Sequence, residues 1–152
     1  MTVIYKILSF LFLFFFISCG KCPCVDSDLS PNFILFDKAD VDTIIVRKYV
    51  KNSNFTLLID TTFFSETNAF SIKKSNDTIS FPAREGNFSI SANYDWMFFL
   101  RGVNRTFKIS EIVSPQVSLP CPDKVQCVNP IISLKIDGVN YVPEYYNFYM
   151  RK

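Results

Sequence analysis

From residue 33 onward the chain alternates short apolar and polar stretches, most of them closed by Asn, Ser, Asp or Gly. A period of two is what a half-buried β-strand requires, because successive side chains leave opposite faces. Residues 33–36 suit an edge strand. Residues 43–50 place Ile44, Val46 and Val50 on one face and Arg47 on the other. Lys51-Asn52-Ser53-Asn54 then reads as a turn, and Phe55, Leu57 and Ile59 alternate on a returning strand that ends at Asp60. A hairpin is predicted around Ser75-Asn76, between residues 69–73 and 78–81, and residues 88–91 alternate as a further strand.

The most apolar stretch of this region is 94–101, with Tyr94, Trp96, Phe98 and Leu100 on one face and Met97 and Phe99 on the other. That pattern predicts a central strand covered on both sides, with Trp96 in the core. Gly102-Val103-Asn104 turns it into residues 106–113, where Phe107 and Ile109 point the same way. Residues 114–130 form a loop containing Pro and Cys. Asp137-Gly138 then joins 131–136 to 139–142, and a two-residue Asp-Gly link is a strong hairpin signal because a type I′ turn needs positive φ at both positions. The resulting expectation is a single antiparallel β-sandwich, Ig-like or transthyretin-like, of about eight or nine strands. It covers residues 33–152, behind a tether at 19–32 that has no periodicity.

The N-terminus follows a different pattern. Lys6 is the only charge before an apolar run at 7–17 built mostly of Phe and Leu. A basic start, an apolar core of roughly 7–15 residues and a small residue before the cut define a secretory signal. A membrane span wants about 20 apolar residues, and Lys6 and Gly20-Lys21-Cys22-Pro23 close the run before that. Removal of residues 1–18 is therefore expected over a retained anchor. The run ends in Phe16-Ile17-Ser18-Cys19, which resembles the lipobox of bacterial lipoproteins, with Phe16 where Leu is usual. The resemblance implies lipid attachment at Cys19. An ordinary signal-peptidase cut before Lys21, using Ser18 and Gly20 as its small residues, is the competing site. The lipobox is preferred because a cysteine closing the apolar run otherwise has no purpose. Gly20 follows it where an Asp would, in such families, retain the protein at the inner membrane.

Charge narrows the partners. The chain has 16 Lys and Arg against 14 Asp and Glu, and the signs are interspersed. Such a chain has no electrostatic footprint for nucleic acid. Histidine is absent. That removes the commonest general base, the commonest metal ligand and the usual partner of a serine or cysteine nucleophile. No enzymatic activity and no cofactor are expected.

Four motifs invite chemistry, and each has a plainer reading. Asp26, Asp28 and Asp37 have an EF-hand-like spacing, but Pro31 stands where that loop needs its Gly, so a solvated acidic linker is expected. Leu57-Leu58-Ile59-Asp60-Thr61-Thr62 is similar to the aspartic-protease signature, but Thr62 and Phe63 replace the Gly and small residue it needs, so a strand running into a turn is expected. Cys22, Cys24, Cys121 and Cys127 match a four-thiolate zinc set in number. An exported chain argues for disulfides instead, and Pro23 opposes closing Cys22 on Cys24, so one of that pair is expected to join Cys121 and the other Cys127. The aromatic C-terminus, Tyr141, Tyr145, Tyr146, Phe148 and Tyr149, suits either a stacking face for sugar or protein, or the packing of the last strand, and packing is expected.

Asn-x-Ser/Thr triplets at Asn54, Asn76, Asn87 and Asn104 read as chance in an Asn-rich chain. Three triplets that begin at Asp42, Asp60 and Asp77 resemble the O-glycosylation signal of exported Bacteroidetes proteins. The lipobox, the Phe- and Asn-rich composition and the strand series with Tyr94-Asp95-Trp96 look like the small outer-membrane lipoproteins of that phylum. The resemblance implies a non-catalytic, lipid-anchored protein of the outer membrane. Its partners would be the membrane, through the anchor, and an envelope protein or glycan. A component of a secretion or pilus assembly is the main alternative, and a hydrolase working on carboxylates alone a remote one.

Overall fold

A computed structural model describes residues 21–27, 29–65, 73–75, 77–80, 90–116, 118–120, 127–144 and 147–152. The described strands are β1 (Lys21–Pro23), β2 (Val25–Asp26), β3 (Ser30–Ile34), β4 (Thr43–Val50), β5 (Leu58–Ser65), β6 (Lys73–Ser75), β7 (Thr78–Ser80), β8 (Tyr94–Leu100), β9 (Arg105–Val113), β10 (Ser118–Pro120), β11 (Val128–Asn129), β12 (Ser133–Ile136), β13 (Val139–Tyr141) and β14 (Asn147–Arg151). One turn of 3₁₀-helix, Lys38–Val41, precedes β4. The chain is all-β, a sandwich of two packed sheets.

The chain divides into two compact units. The larger holds Asp26–Pro115 and Asn129–Lys152, and in it lie a six-stranded sheet ordered β13-β12-β9-β8-β4-β5 and a four-stranded sheet ordered β14-β3-β7-β6. Alternation places Ile44 and Val46 of β4, Trp96, Phe98 and Leu100 of β8, and Phe107 and Ile109 of β9 in the core. Phe33, Ile79, Phe148 and Met150 bury against them from the second sheet. β8 is interior to its sheet, paired with both β4 and β9. Its core face is fully buried from Trp96 onward, whereas Met97 and Phe99 on the other face are half-buried.

A bulge corrects the phase of β9. Ser133 pairs with Val113 but Lys135 with Ser110, and Glu111 takes φ 50°. The extra residue lets Ile109 and Ile112 both face inward, which strict alternation forbids. Asp137 and Gly138 hold φ of 51° and 83°, the left-handed pair that a type I′ hairpin demands.

Several elements differ from the sequence reading. β3 begins at Ser30, not 33, and it is no edge strand: it lies between β14 and β7. Pro31 lies within β3, opposite Phe148 of β14, and the described residues of β7 pair with Asn32, Phe33 and Ile34. β14 runs parallel to β3, an exception to the antiparallel expectation. The expected tether at 19–32 is structured from Lys21 on, and Leu29 is fully buried and bridges Ile90. β5 starts at Leu58 and runs through Ser65, so Asp60 sits within a strand rather than at its end. The 69–73 strand before residue 73, Asn76 of the second hairpin and residues 88–89 lie outside the described residues.

The smaller unit comprises residues up to Val25 together with Gln116–Val128. There β1 pairs antiparallel with β10, Cys22 opposite Leu119, so the expected 114–130 loop contains strand. Cys24 is bonded to Cys127, 103 residues away, with Cα atoms 4.8 Å apart. The Val25 N–H donates to the Cys127 carbonyl at 3.1 Å beside it.

Candidate functional site

Residues 51–57 join β4 to β5, and Asn52, Asn54 and Phe55 there hold φ of 60°, 53° and 59°. Asn enters the left-handed region readily, but a bulky aromatic does so only where its surroundings hold it. The Phe55 ring meets Tyr49 edge-on with centroids 5.5 Å apart, and the Lys108 ammonium sits 5.4 Å from its centroid. The turn is closed by Val50 N–H to Leu57 carbonyl at 2.9 Å and Ser53 N–H to Val50 carbonyl at 3.1 Å.

Two charged residues fasten this turn to the sheet. Lys51 Nζ donates to the Ala92 carbonyl at 2.7 Å and to the Ile112 carbonyl at 2.9 Å. Asp95 of β8 is 2% exposed, and its Oδ2 accepts the Asn52 N–H at 2.9 Å. Its Oδ1 is buried with no hydrogen-bond partner in ordinary geometry. Burial raises the Asp95 carboxyl from its ordinary pKa, and the Glu111 carboxylate pushes the same way. The Asn52 amide, the nearby Lys51 ammonium and the Glu111 amide pull against this without cancelling it.

Beyond this turn the alternation fails in a particular way. Lys48 pairs with Asp60 and Tyr49 with Leu58, which leaves Ile59 without an opposite residue. Leu57, Leu58 and Ile59 consequently all face solvent, the first two at 58% and 54% exposure, with Val50 exposed alongside. Phe63, farther along β5, is 64% exposed. Scattered exposed apolar residues are ordinary, but an unbroken apolar run at the surface is a feature that calls for a contact. Leu57, Leu58 and Ile59 offer an aliphatic surface. It can bury against an apolar partner, and the turn that leads into it is fastened to the sheet through Lys51 and Asn52, which lowers the ordering cost of binding.

The residues singled out from sequence fall elsewhere. Cys19 and Cys121 lie outside the described residues, as do Asp28, Tyr145, Tyr146, Asn76 and Asn87. Cys24 and Cys127 are joined to each other, so they are not free to serve as zinc thiolates. Cys22 lies in β1. Asp26 is in β2, and the Asp37 N–H donates to Asp40 Oδ2 at 2.8 Å, with β3 between them, so the acidic spacing does not form one loop. Asp60 is exposed on β5 and its Oδ1 accepts the Thr61 N–H at 2.8 Å. Phe148 is fully buried, while Tyr141 and Tyr149 are half-buried, so packing accounts for the centre of the aromatic C-terminus. Asn54 and Asn104 occupy left-handed turn positions, which explains Asn at both.

The sequence reading placed Lys51 in a turn, the Leu57-Leu58-Ile59 run in a strand and Asp95 in the central strand, and assigned none of them this role. The available signals were an acid inside the most apolar stretch and three consecutive apolar residues where alternation wants a polar one. No family model, curated protein or solved structure matches this chain.

Proposed function

We propose that the chain is a non-catalytic envelope lipoprotein, held in the outer membrane by lipid on Cys19, whose sandwich binds a protein partner through the 51–57 turn and β5. The anchor rests on Phe16-Ile17-Ser18-Cys19 at the end of the apolar run. Stable attachment takes two acyl signals, since each buried CH₂ contributes about 0.8 kcal/mol and one chain is marginal, and a lipoprotein cysteine carries both. The Cys24–Cys127 disulfide suits an oxidising compartment outside the cytoplasm. The binding role rests on one observation, the exposed run Leu57, Leu58 and Ile59 on a constrained turn. A protein partner fits it better than a glycan, because the run Leu57, Leu58 and Ile59 is aliphatic and offers no ring to stack on a sugar.

The anchor is tested by Cys19→Ala, which is expected to release the protein or leave it unprocessed. A smaller, processed species that still partitions into detergent would refute the lipobox. The surface is tested by Leu58→Ser with Ile59→Ser under mild crosslinking in cells. Loss of crosslinked neighbours is expected, and an unchanged pattern would refute the binding role. A second reading, a component of a secretion or pilus assembly, uses the same surface. An unbroken run of aliphatic side chains fits a stably assembled neighbour, and co-purification of a defined multi-protein complex would favour it.

A further inference from the structure

Asp95 is the buried carboxylate that fastens the 51–57 turn to β8, and the proposed binding surface does not explain why it is an acid. A buried carboxylate with one oxygen on the Asn52 amide and the other without a hydrogen bond of ordinary geometry is poorly placed for a purely structural anchor. An Asn would accept the same Asn52 N–H without a charge to desolvate. The groups around it come from each packed element: Lys51 on the turn, Tyr49 opposite it on β4, and Glu111 on β9. The Glu111 side chain is itself engaged outward, accepting from Lys135 Nζ at 2.7 Å. Lys51 is held by two carbonyls, so its ammonium is committed to the strand ends.

We infer that Asp95 is a proton-sensitive latch: protonated, it holds the 51–57 turn closed on β8, and ionised, it loosens that turn and the apolar residues Leu57, Leu58 and Ile59 that follow. This rests on the binding reading only for the consequence at the partner, because the latch itself is a property of the turn. The direction follows from burial. A carboxyl whose pKa is higher in the closed state than in the open state binds its proton more tightly when closed. Acidification through that pKa therefore favours the closed turn, and ionisation draws water toward the orphaned Oδ1 and favours opening. This is opposite to the usual surface carboxylate, whose ion pair is lost in acid.

Amide hydrogen exchange of the full chain in detergent, followed between pH 4 and 8 and corrected for the intrinsic rate, reads the latch directly. Protection of residues 52–57 is expected to rise severalfold on acidification. Asp95→Asn is expected to remove that pH dependence and keep the segment protected throughout. Glu111→Gln, which takes away the like charge and leaves the turn intact, is expected to shift the transition to lower pH. Protection that is flat with pH in the unsubstituted chain, or an unchanged midpoint in Glu111→Gln, overturns the latch. Crosslinking of Leu58→Ser with Ile59→Ser is independent of these readouts, so failure of the latch and failure of the binding surface are told apart.

Discussion

The ring of Phe98 on β8 meets the ring of Phe148 on β14 edge-on, with centroids 6.3 Å apart, and both are fully buried. This contact joins the interior of the six-stranded sheet to the strand next to the C-terminus, so the last strand belongs to the core. Phe148→Ala is expected to lower unfolding free energy by about 3–5 kcal/mol, a large share of a domain's net stability of about 5–15 kcal/mol. Tyr149→Ala, one residue on and half-buried, should lose far less. Urea unfolding of the two variants decides it, and equal losses would contradict this packing.

Trp96 separates packing from hydrogen bonding. Its ring is 5% exposed, lies edge-on to Tyr94 at 6.1 Å, and its Nε1–H donates to the Ser91 carbonyl at 3.1 Å. Trp96→Ala is expected to cost about 3–5 kcal/mol and to prevent accumulation in cells. Trp96→Phe keeps most of the apolar contact but leaves the carbonyl without its donor, for about 1–3 kcal/mol. Thermal melts that place both variants together would mean the indole N–H matters as much as the ring.

Two glycines make a sharper comparison. A β-carbon on Gly102 would lie 2.3 Å from the Ala39 carbonyl oxygen and 3.0 Å from Asp40 Cα, both backbone atoms of the 3₁₀ turn. Neither can move aside as a flexible side chain would. Gly102→Ala is therefore expected to lose about 1–3 kcal/mol by overpacking, pushing the β8–β9 turn away from Lys38–Val41. At Gly138 nothing lies within 4 Å of the added carbon, but φ is +83°, so Gly138→Ala should lose only about 1–2 kcal/mol of backbone preference. Chemical-shift changes should reach Ala39 and Asp40 in the first variant and stay within the Asp137-Gly138 hairpin in the second.

The strands that were legible in the sequence are those whose two faces differ. β4 matches its expected bounds, and β8 and β9 do so to within a residue or two, because Ile44, Val46, Phe98, Phe107 and Ile109 recur every second position. The expected face of β4 fails only at its end, where Val50 is exposed and Tyr49 is buried instead. The misplaced ones depend on facts that no local pattern carries. β3 was hidden at its start, where Ser30 and Pro31 carry no alternating pattern, and the parallel pairing of Pro31 with Phe148 joins residues 117 apart. β5 was shifted because Phe55, Leu57 and Ile59 mimic a strand while Phe55 is in a left-handed turn. The candidate surface was hidden for the same reason: its apolar run satisfies strand propensity whether or not it is buried. Asp95 was invisible because its role depends on the Asn52 amide reaching it from 43 residues away.

Spacing and the obstacle of Pro23 pointed to bonds between the Cys22 and Cys24 pair and the Cys121 and Cys127 pair, and Cys24 is bonded to Cys127. That leaves Cys22 for Cys121, a residue outside those described, and β1 already sets Cys22 opposite Leu119, two residues before it. Cutting after Lys124 separates Cys121 from Cys127, so the peptide carrying Cys22 and Cys24 should be joined to both fragments under non-reducing conditions. In Cys22→Ser it should remain joined only to the fragment carrying Cys127. A direct link between the Cys121 and Cys127 fragments, or free thiols at Cys24 and Cys127, would rule this pairing out. The bond at Cys24 closes a loop of 103 residues, and the chain-entropy model values such a closure at about 4.7 kcal/mol. Cys127→Ser is therefore expected to lower unfolding free energy by several kcal/mol. Cys22→Ser in a chain that keeps the first bond should lose much less, because the second bond then closes only the few residues between the two pairs.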